Sequence, residues 1–71
     1  MMAKMLEPLT SREQEIADLV SVGLSNKEIA QHLNVTQATV KTHLQQIYRK
    51  IGVKNRTTLT AALIRLDLHR D

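Results

Sequence analysis

The sequence predicts an all-α domain of four helices, and three features of the chain support that fold class. Apolar residues recur at intervals of three and four, which is the spacing of helices that bury one face. Helix-capping residues and glycines separate these patterns into four segments. With 71 residues and Tyr48 as its one aromatic residue, the chain is long enough for one domain with an aliphatic core. The predicted boundaries are about 11–22, 26–33, 37–51 and 57–68 for the helices, 9–71 for the domain and 1–8 for an N-terminal tail.

The first helix has recognisable signals at both ends. Thr10 and Glu13 have the spacing of a capping box, in which each side chain accepts a hydrogen bond from the other residue's backbone N–H. Gly23 is expected to end the helix, since glycine enters the left-handed conformation without a Cβ penalty. Arg12 and Glu13 carry adjacent opposite charges, and we expect them to form a charged pair that holds this helix.

The second and third helices are predicted to meet at a tight turn. Ser25 and Glu28 form a second capping box, and Thr36 caps the next helix. Asn34 lies between the two helices, where asparagine accepts a positive φ better than most residues other than glycine. Gly52 is expected to stop the third helix. The apolar positions expected to face the core in these three helices are Ile16, Leu19, Val20, Ile29, Ala30, Leu33, Val40, Leu44, Ile47 and Ile51.

The fourth helix has apolar residues on two sides. Asn55 or Thr57 could cap it. One stripe consists of Leu59, Leu63 and Leu66, and a second consists of Ala61, Ile64 and Leu68. A helix that is apolar on two sides usually faces the core with one side and a partner with the other. We therefore predict a dimer interface at the second stripe.

Positive charge is concentrated in the middle of the chain. Residues 25–56 contain six lysines and arginines against one glutamate, a net charge of +5, whereas residues 1–24 contain two basic and four acidic residues, a net charge of −2. A basic segment set apart from an acidic one is typical of proteins that bind polyanions. Charge alone leaves open the alternative of a solvated basic face on an ordinary helix bundle.

The helix, tight turn and helix over residues 26–51 match a motif that reads duplex DNA. In that motif the second helix lies in the major groove with its N-terminal half at the base edges. Gln37 and Gln45 lie on the outer face of the third helix, and glutamine can pair with adenine. Lys41 can reach guanine acceptors, and the Thr42 methyl group can contact thymine. We predict these four residues as base contacts.

Hydroxyl, amide and basic groups near the helix ends are suited to phosphate oxygens. The predicted contacts to the DNA backbone are Ser25, Asn26, Lys27, Thr36, Thr39, His43, Arg49, Lys54 and Arg56. Other interpretations stay open for some of them. Thr39 could be a second cap, His43 a packed side chain, and Arg49 a cation that favours the helix C-terminus. Arg56 could be a structural arginine that pairs with a carboxylate of the first helix.

Four motifs occur in order along the chain: LTSRE at 9–13, GLSNKEIA at 23–30, TVKTHL at 39–44 and KIGVKNR at 50–56. Together they closely resemble the DNA-binding domain of LuxR/NarL-type (GerE-like) transcription regulators, over about residues 9–68. The resemblance implies a four-helix domain in which the second and third helices read DNA and the fourth contributes to dimerisation on DNA. By similarity, Lys41, Thr42 and Gln45 occupy positions that approach bases.

Two places in the chain limit what the resemblance implies about function. Gln45 stands where some members carry lysine, so a base preference cannot be transferred. The fourth helix begins Thr57-Thr58-Leu59, where members often carry small or β-branched residues, so the dimer face is less well specified. Members usually join this domain to an N-terminal receiver or ligand-sensing domain, and the sequence leaves open whether one precedes this segment.

Several other function classes lack support in the sequence. The chain has no cysteine, and His32, His43 and His69 lack the spacing of metal ligands, so we expect no metal and no other cofactor. There is no nucleophile–base pair, phosphate-binding glycine loop or carboxylate pair, so we expect neither an enzyme nor a small-molecule site. No apolar run approaches the roughly 20 residues that span a bilayer, so we expect no membrane partner and a cytoplasmic location.

The leading interpretation is therefore sequence-specific binding of double-stranded DNA for transcription regulation, as a dimer on DNA, with RNA polymerase as a further candidate partner. Two alternatives remain at this point. One is a protein-interaction module that docks through helix 57–68. The other is a sigma-factor-type promoter-reading domain, which residues 52–56 and the full fourth helix argue against.

Overall fold

The chain folds into four helices in a computed structural model, which describes the backbone of residues 7–68 and the side chains of residues 7–65. The helices are α1 (Ser11–Ser21), α2 (Asn26–Leu33), α3 (Gln37–Ile51) and α4 (Arg56–Leu68). The predicted all-α, four-helix fold is confirmed. The bounds differ from those predicted at two ends, because α1 stops one residue earlier and α4 begins one residue earlier.

Each helix starts at a residue whose side chain satisfies a free backbone N–H. Thr10 and Glu13 form the predicted capping box, with hydrogen bonds of 2.9 and 3.1 Å. Ser25 and Glu28 form the second box, with hydrogen bonds of 2.8 and 3.2 Å. At α4 the cap is Asn55, whose side-chain oxygen accepts from the Thr58 backbone N–H at 3.0 Å. Each cap is a hydrogen bond between residues three apart, so these helix starts are fixed by local sequence.

Three residues with positive φ lie in the turns after α1, α2 and α3: Gly23, with φ 95°, Asn34 and Gly52. Asn34 adopts the left-handed conformation, with φ 57° and ψ 46°, and joins α2 to α3 as predicted. The Val35 backbone N–H then donates to the Ala30 carbonyl at 2.9 Å, which turns Val35 back toward the core. Gly52 ends α3 with φ 82°. Both residue types accept a conformation in which a Cβ-branched side chain would be strained.

The core is aliphatic and α3 lies at its centre. Fully buried isoleucines come from three helices, with Ile16 on α1, Ile29 on α2 and Ile47 on α3 each 0% exposed. The α3 side chains Val40, Leu44, Ile47 and Ile51 are all buried, as the spacing predicted. Because α3 packs against α1, α2 and α4 through this one stripe, its opposite face remains in solvent.

On α4 the structure buries Leu59 and Ala62, with Leu63 packed partly against the core. The first predicted stripe therefore faces inward at the positions whose side chains are described, and Ala62 adds a core position that neither stripe contained. The side chains of Leu66 and Leu68 lie outside the described residues. Across residues 7–68, no helix is both long enough and apolar enough to cross a bilayer.

A buried ion pair connects α1 to the end of α3. The Lys50 Nζ lies 2.7 Å from the Glu13 Oε1, and the two side chains are 13% and 6% exposed. The expected pairing of Arg12 with Glu13 is wrong, since Arg12 instead faces Glu15 at 3.6 Å. Adjacent helix residues point in different directions, whereas residues three apart share a face.

Candidate nucleic-acid interface

The outer face of α3 carries the four residues that were predicted to contact bases. Gln37, Lys41, Thr42 and Gln45 are all exposed, while the opposite side of the same helix is buried. Within the described part of the chain, Gln37, Lys41 and Gln45 form no hydrogen bond or ion pair through their side chains. The fold thus leaves the polar groups of this face free for a ligand.

The hydroxyl of Thr42 is already engaged by its own helix. Its Oγ1 donates to the Ala38 carbonyl at 3.1 Å. This bond leaves the methyl group as the part of Thr42 that can contact a ligand. An exposed methyl group is suited to the thymine C5-methyl in the major groove.

Hydroxyl groups cap the starts of α2 and α3. The Ser25 Oγ accepts from the Glu28 backbone N–H, and the Thr36 Oγ1 accepts from the Thr39 backbone N–H at 3.1 Å. The hydroxyls of Thr36 and Thr39 also lie 3.0 Å apart and share one hydrogen bond. The Thr39 hydroxyl is therefore linked to the cap residue Thr36, but it accepts from no backbone N–H of the described residues and is not itself a second cap. Lys27 is exposed in the first turn of α2.

The carboxylate of Glu28 stands in the same first turn of α2. It accepts a hydrogen bond from the Ser25 backbone N–H at 2.8 Å. That bond lowers the pKa of Glu28 below its usual value of 4.5. The negative charge is therefore held close to the helix start, where the helix dipole favours it.

The five lysine and arginine side chains between residues 25 and 54 fall into two groups. Arg49 is bound by Glu7 at 3.0 Å and by Gln46 at 2.9 Å, and Lys50 is bound by Glu13. In contrast, the exposed ammonium groups of the second group form no ion pair among residues 7–65. This second group consists of Lys27, Lys41 and Lys54. These three lysines carry the positive charge that an anionic ligand can reach without breaking an internal contact.

Arg56 is held inside the protein's own framework. Its Nη1 donates to the Asn26 Oδ1 at 2.6 Å, and its Nη2 donates to the Leu24 backbone carbonyl. The alternative of a structural arginine was correct in kind but wrong in partner, because no carboxylate of α1 is involved. The sequence offered no sign of this contact, which spans 30 residues between Arg56 and Asn26.

The remaining predicted site residues have mixed surroundings. His43 is half-buried on the flank of α3. On α4, Ala61 is exposed and Ile64 is 54% exposed, so the described part of the second apolar stripe faces solvent. No group of three His, Asp or Glu residues among those described is placed to hold a metal ion.

A tight helix pair whose second helix presents a polar and basic face defines the class of helix-turn-helix DNA-binding domains. Within this class, residues 7–63 match the model of the family described as bacterial regulatory proteins, luxR family. The match covers most of the chain, and the chain belongs to this family. The resemblance to LuxR-type regulators predicted from the sequence is confirmed.

Relatives with similar sequences are transcription regulators by name. The chain is 48% identical over 54 residues to the putative HTH-type transcriptional regulator YhjB of Escherichia coli, which covers 76% of this chain and 27% of that protein. It is 47% identical over 62 residues to the transcriptional regulatory protein MctR of Rhizobium johnstonii, covering 87% of this chain and 27% of that protein. The chain thus spans about a quarter of the length of these relatives.

A solved structure has the same fold. The crystal structure of the response regulator ChrA, from a heme-sensing two-component system, superposes with a TM-score of 0.78 at 45% sequence identity. The superposition covers 92% of this chain and 32% of that one. Together with the family match, this similarity places the chain among the DNA-binding domains of transcription regulators.

Proposed function

We propose that this chain binds duplex DNA sequence-specifically, with α3 in the major groove, and so regulates transcription. The observation that carries the proposal is the exposed face of α3, where the side chains of Gln37, Lys41 and Gln45 form no hydrogen bond or ion pair with residues 7–65. A face built of amide, ammonium and methyl groups matches the donor, acceptor and methyl pattern of base edges. Base contacts are proposed for Gln37, Lys41, Thr42 and Gln45.

Contacts to phosphate are proposed from groups on both sides of this helix. Ser25, Asn26 and Lys27 would contact the backbone at the start of α2, with Thr36 and Thr39 at the start of α3. Lys54 follows α3 and has a free ammonium group. His43 and Arg49 complete the proposed set, with Arg49 exchanging its ion pair with Glu7 for a phosphate. These contacts position the domain and do not read sequence.

We further propose that two copies bind together on DNA through α4. Ala61 and Ile64 supply the described part of the apolar surface, and Leu68 would extend it. A single copy covers one half-site, so pairing on adjacent half-sites would raise affinity for the complete site. Such an activity belongs in the cytoplasm of a bacterial cell, where RNA polymerase is the natural neighbour of a promoter-bound regulator.

A protein-interaction module that docks through α4 is the second candidate, and the exposure of Ile64 favours it. The two candidates differ in what they require of α3. If α4 alone carried function, the outer face of α3 would tolerate substitution. DNA binding requires that face to be intact.

The test begins with selection of duplexes from a randomised pool, followed by fluorescence anisotropy with the selected and a scrambled duplex at several salt concentrations. Binding should weaken steeply as salt rises, because each phosphate contact releases counterions. Lys41→Ala should weaken binding of the selected duplex about tenfold, the loss expected for one good base contact. The same variant should bind the scrambled duplex with a much smaller loss.

Arg12→Ala provides the control, because it removes one exposed positive charge from α1 and no DNA contact is proposed for Arg12. Its effect on affinity should be small, and both variants should keep the wild-type melting temperature, since both side chains are on the surface. Failure of the wild-type chain to bind any duplex at low salt would refute the proposal. Equal losses for Lys41→Ala and Arg12→Ala would refute the assignment of Lys41 to a base.

A further inference from the structure

Arg56 and Asn26 form a contact that controls which way the Asn26 amide faces. The Arg56 Nη1 lies 2.6 Å from the Asn26 Oδ1, and a second N–H of the same guanidinium binds the Leu24 carbonyl. Both contacts are partly buried. The start of α4 is thereby linked to the segment where α1 gives way to α2.

A guanidinium has five N–H donors and no acceptor, so it can face only the oxygen of an amide side chain. The oxygen of Asn26 must therefore point toward Arg56, and its NH₂ group must point the other way. Asn26 is half-buried, and its NH₂ group donates to no protein atom among residues 7–65. Asn26 thus presents two free donors beside the exposed side chains of Ser25 and Lys27.

We infer that Arg56 is a positioning residue for DNA binding that acts through Asn26: it turns the Asn26 NH₂ group outward as a donor to a phosphate oxygen. This inference rests on the proposed DNA binding and revises the direct phosphate contact predicted for Arg56. Without Arg56 the amide could rotate and present its oxygen, which repels a phosphate. The charge of Arg56 remains with the protein and does not neutralise DNA.

The geometry explains why Arg56 should not contact DNA itself. Two of its N–H groups are committed to the protein, and the side chain is half-buried between α2 and α4. Three of its five N–H groups remain, but moving the half-buried side chain outward to bring them to a phosphate would release the Asn26 oxygen and the Leu24 carbonyl. Releasing a carbonyl that a charged group has bound costs more than an ordinary hydrogen bond.

The salt dependence of binding separates a positioning role from a direct one. Loss of a charged phosphate contact lowers the slope of log affinity against log salt by about 0.9. Loss of a neutral amide donor lowers affinity without that change. We would therefore measure affinity for the selected duplex at several salt concentrations with Arg56→Met, Asn26→Ala and the double variant. Arg12→Met would correct for the loss of one positive charge elsewhere.

The inference predicts that Arg56→Met and Asn26→Ala each weaken binding about tenfold, and that the double variant is no weaker than either alone. The salt slope of Arg56→Met should match that of Arg12→Met. Thermal unfolding must show that each variant is folded at the assay temperature. Arg56→Lys, which keeps the charge but not the paired geometry, should weaken binding with an unchanged slope, and it replaces Arg56→Met if that variant does not fold.

Three results would overturn the inference. A slope for Arg56→Met that falls by about one relative to Arg12→Met, with an equal loss in the Asn26→Ala background, would show a direct phosphate contact. A lower melting temperature with wild-type affinity would show a purely structural role. Wild-type affinity in Asn26→Ala would remove the donor on which the inference depends. Absence of DNA binding by the wild-type chain would instead refute the proposed function.

Discussion

The buried carboxylate of Glu13 contributes to folding in two ways. It accepts from the Thr10 backbone N–H at 2.9 Å as the end of a capping box, and it pairs with Lys50 at 2.7 Å across 37 residues of sequence. The hydrogen bond from Lys50 lowers the pKa of Glu13 below its usual value of 4.5, more than burial raises it. Glu13 therefore ties the first turn of α1 to the last turn of α3.

The lowered pKa of Glu13 makes stability depend on pH in a defined direction. Because the folded state favours the carboxylate, this stabilisation is fully present above pH 4.5 and is lost as pH falls through the lower, folded-state pKa. Glu13→Gln should reduce the free energy of unfolding by about 2–3 kcal/mol at neutral pH. Below pH 4 the difference from wild type should shrink. Urea unfolding across this pH range measures both effects.

Glu15→Gln is the matched control, because Glu15 lies on the same helix with an exposed side chain. It should change stability little at any pH, as is usual for exposed ion pairs. If Glu13→Gln and wild type kept the same difference at neutral and acid pH, the pair with Lys50 would not be the source of the acid sensitivity.

Individual side chains illustrate what the sequence could and could not predict. The exposure of Lys41 followed from helical spacing, because Val40 and Leu44 had to face the core. The contacts of Glu13 with Lys50 and of Arg56 with Asn26 did not follow, since each joins residues at least 30 positions apart and arises only when helices pack. The spacing of residues within one helix indicates which of them share a face. It does not indicate which charged residue from a distant part of the sequence will pack against that face.

At the scale of elements, the α2–α3 turn sets how α3 is presented. Asn34 alone supplies the left-handed residue between the helices, with φ 57°. An L-residue pays roughly 1–2 kcal/mol in this conformation because its Cβ crowds the following carbonyl, and the short polar side chain of asparagine offsets part of that cost, whereas alanine offsets none. We expect Asn34→Ala to lower the free energy of unfolding by about 1 kcal/mol and Asn34→Gly to change it by a few tenths at most. Urea unfolding of both variants tests this directly.

Gln31→Ala serves as the control for Asn34, because Gln31 is exposed one turn earlier on α2 and alanine favours helix. Its stability should equal or slightly exceed wild type. Equal losses for Asn34→Ala and Asn34→Gly would mean that the asparagine side chain, and not its backbone conformation, stabilises the turn.

Element boundaries were predictable to the extent that capping side chains mark them. Thr10, Ser25 and Thr36 gave three helix starts because each cap is a local hydrogen bond. The packing of α4 was less predictable, because apolar residues lie on both of its sides. Spacing indicated Leu59 as a core residue but not Ala62, which is buried only because α4 lies against the rest of the bundle.

At the scale of the whole molecule, the unpaired lysines and the large exposed apolar side chains of the described residues lie on different elements. Two contacts hold the end of α3 to Glu7: Arg49 forms an ion pair with its carboxylate, and its backbone N–H donates to the Lys50 carbonyl at 3.3 Å. The ammonium group of Lys50 forms its ion pair with Glu13 on α1. The free lysines lie around α2 and α3. Large exposed apolar side chains among the described residues are Val22, at 71%, and Ile64, at 54%. Val22 follows the end of α1 and Ile64 lies on α4, so the two are far apart in the sequence.

Exposure of Ile64 leads to a prediction about half-sites. If two copies pair through α4 on DNA, Ile64→Glu places like charges in the apolar contact and should abolish cooperative binding to two half-sites spaced about ten base pairs apart. Binding to a single half-site should stay within about twofold of wild type, because α3 is unchanged. The loss on the double site should be about tenfold, in the range of ordinary coupling free energies.

Val22→Glu is the control that makes this test specific to α4. Val22 is more exposed than Ile64 and gains the same charge, yet it follows α1 and has no place in the proposed dimer. Anisotropy titrations with one-site and two-site duplexes compare the two variants. Equal losses of cooperativity would reflect added negative charge near DNA, and full cooperativity in Ile64→Glu would exclude α4 as the dimer face. A loss confined to Ile64→Glu would mean that a neighbouring copy covers the second apolar stripe of α4 when both are bound to DNA.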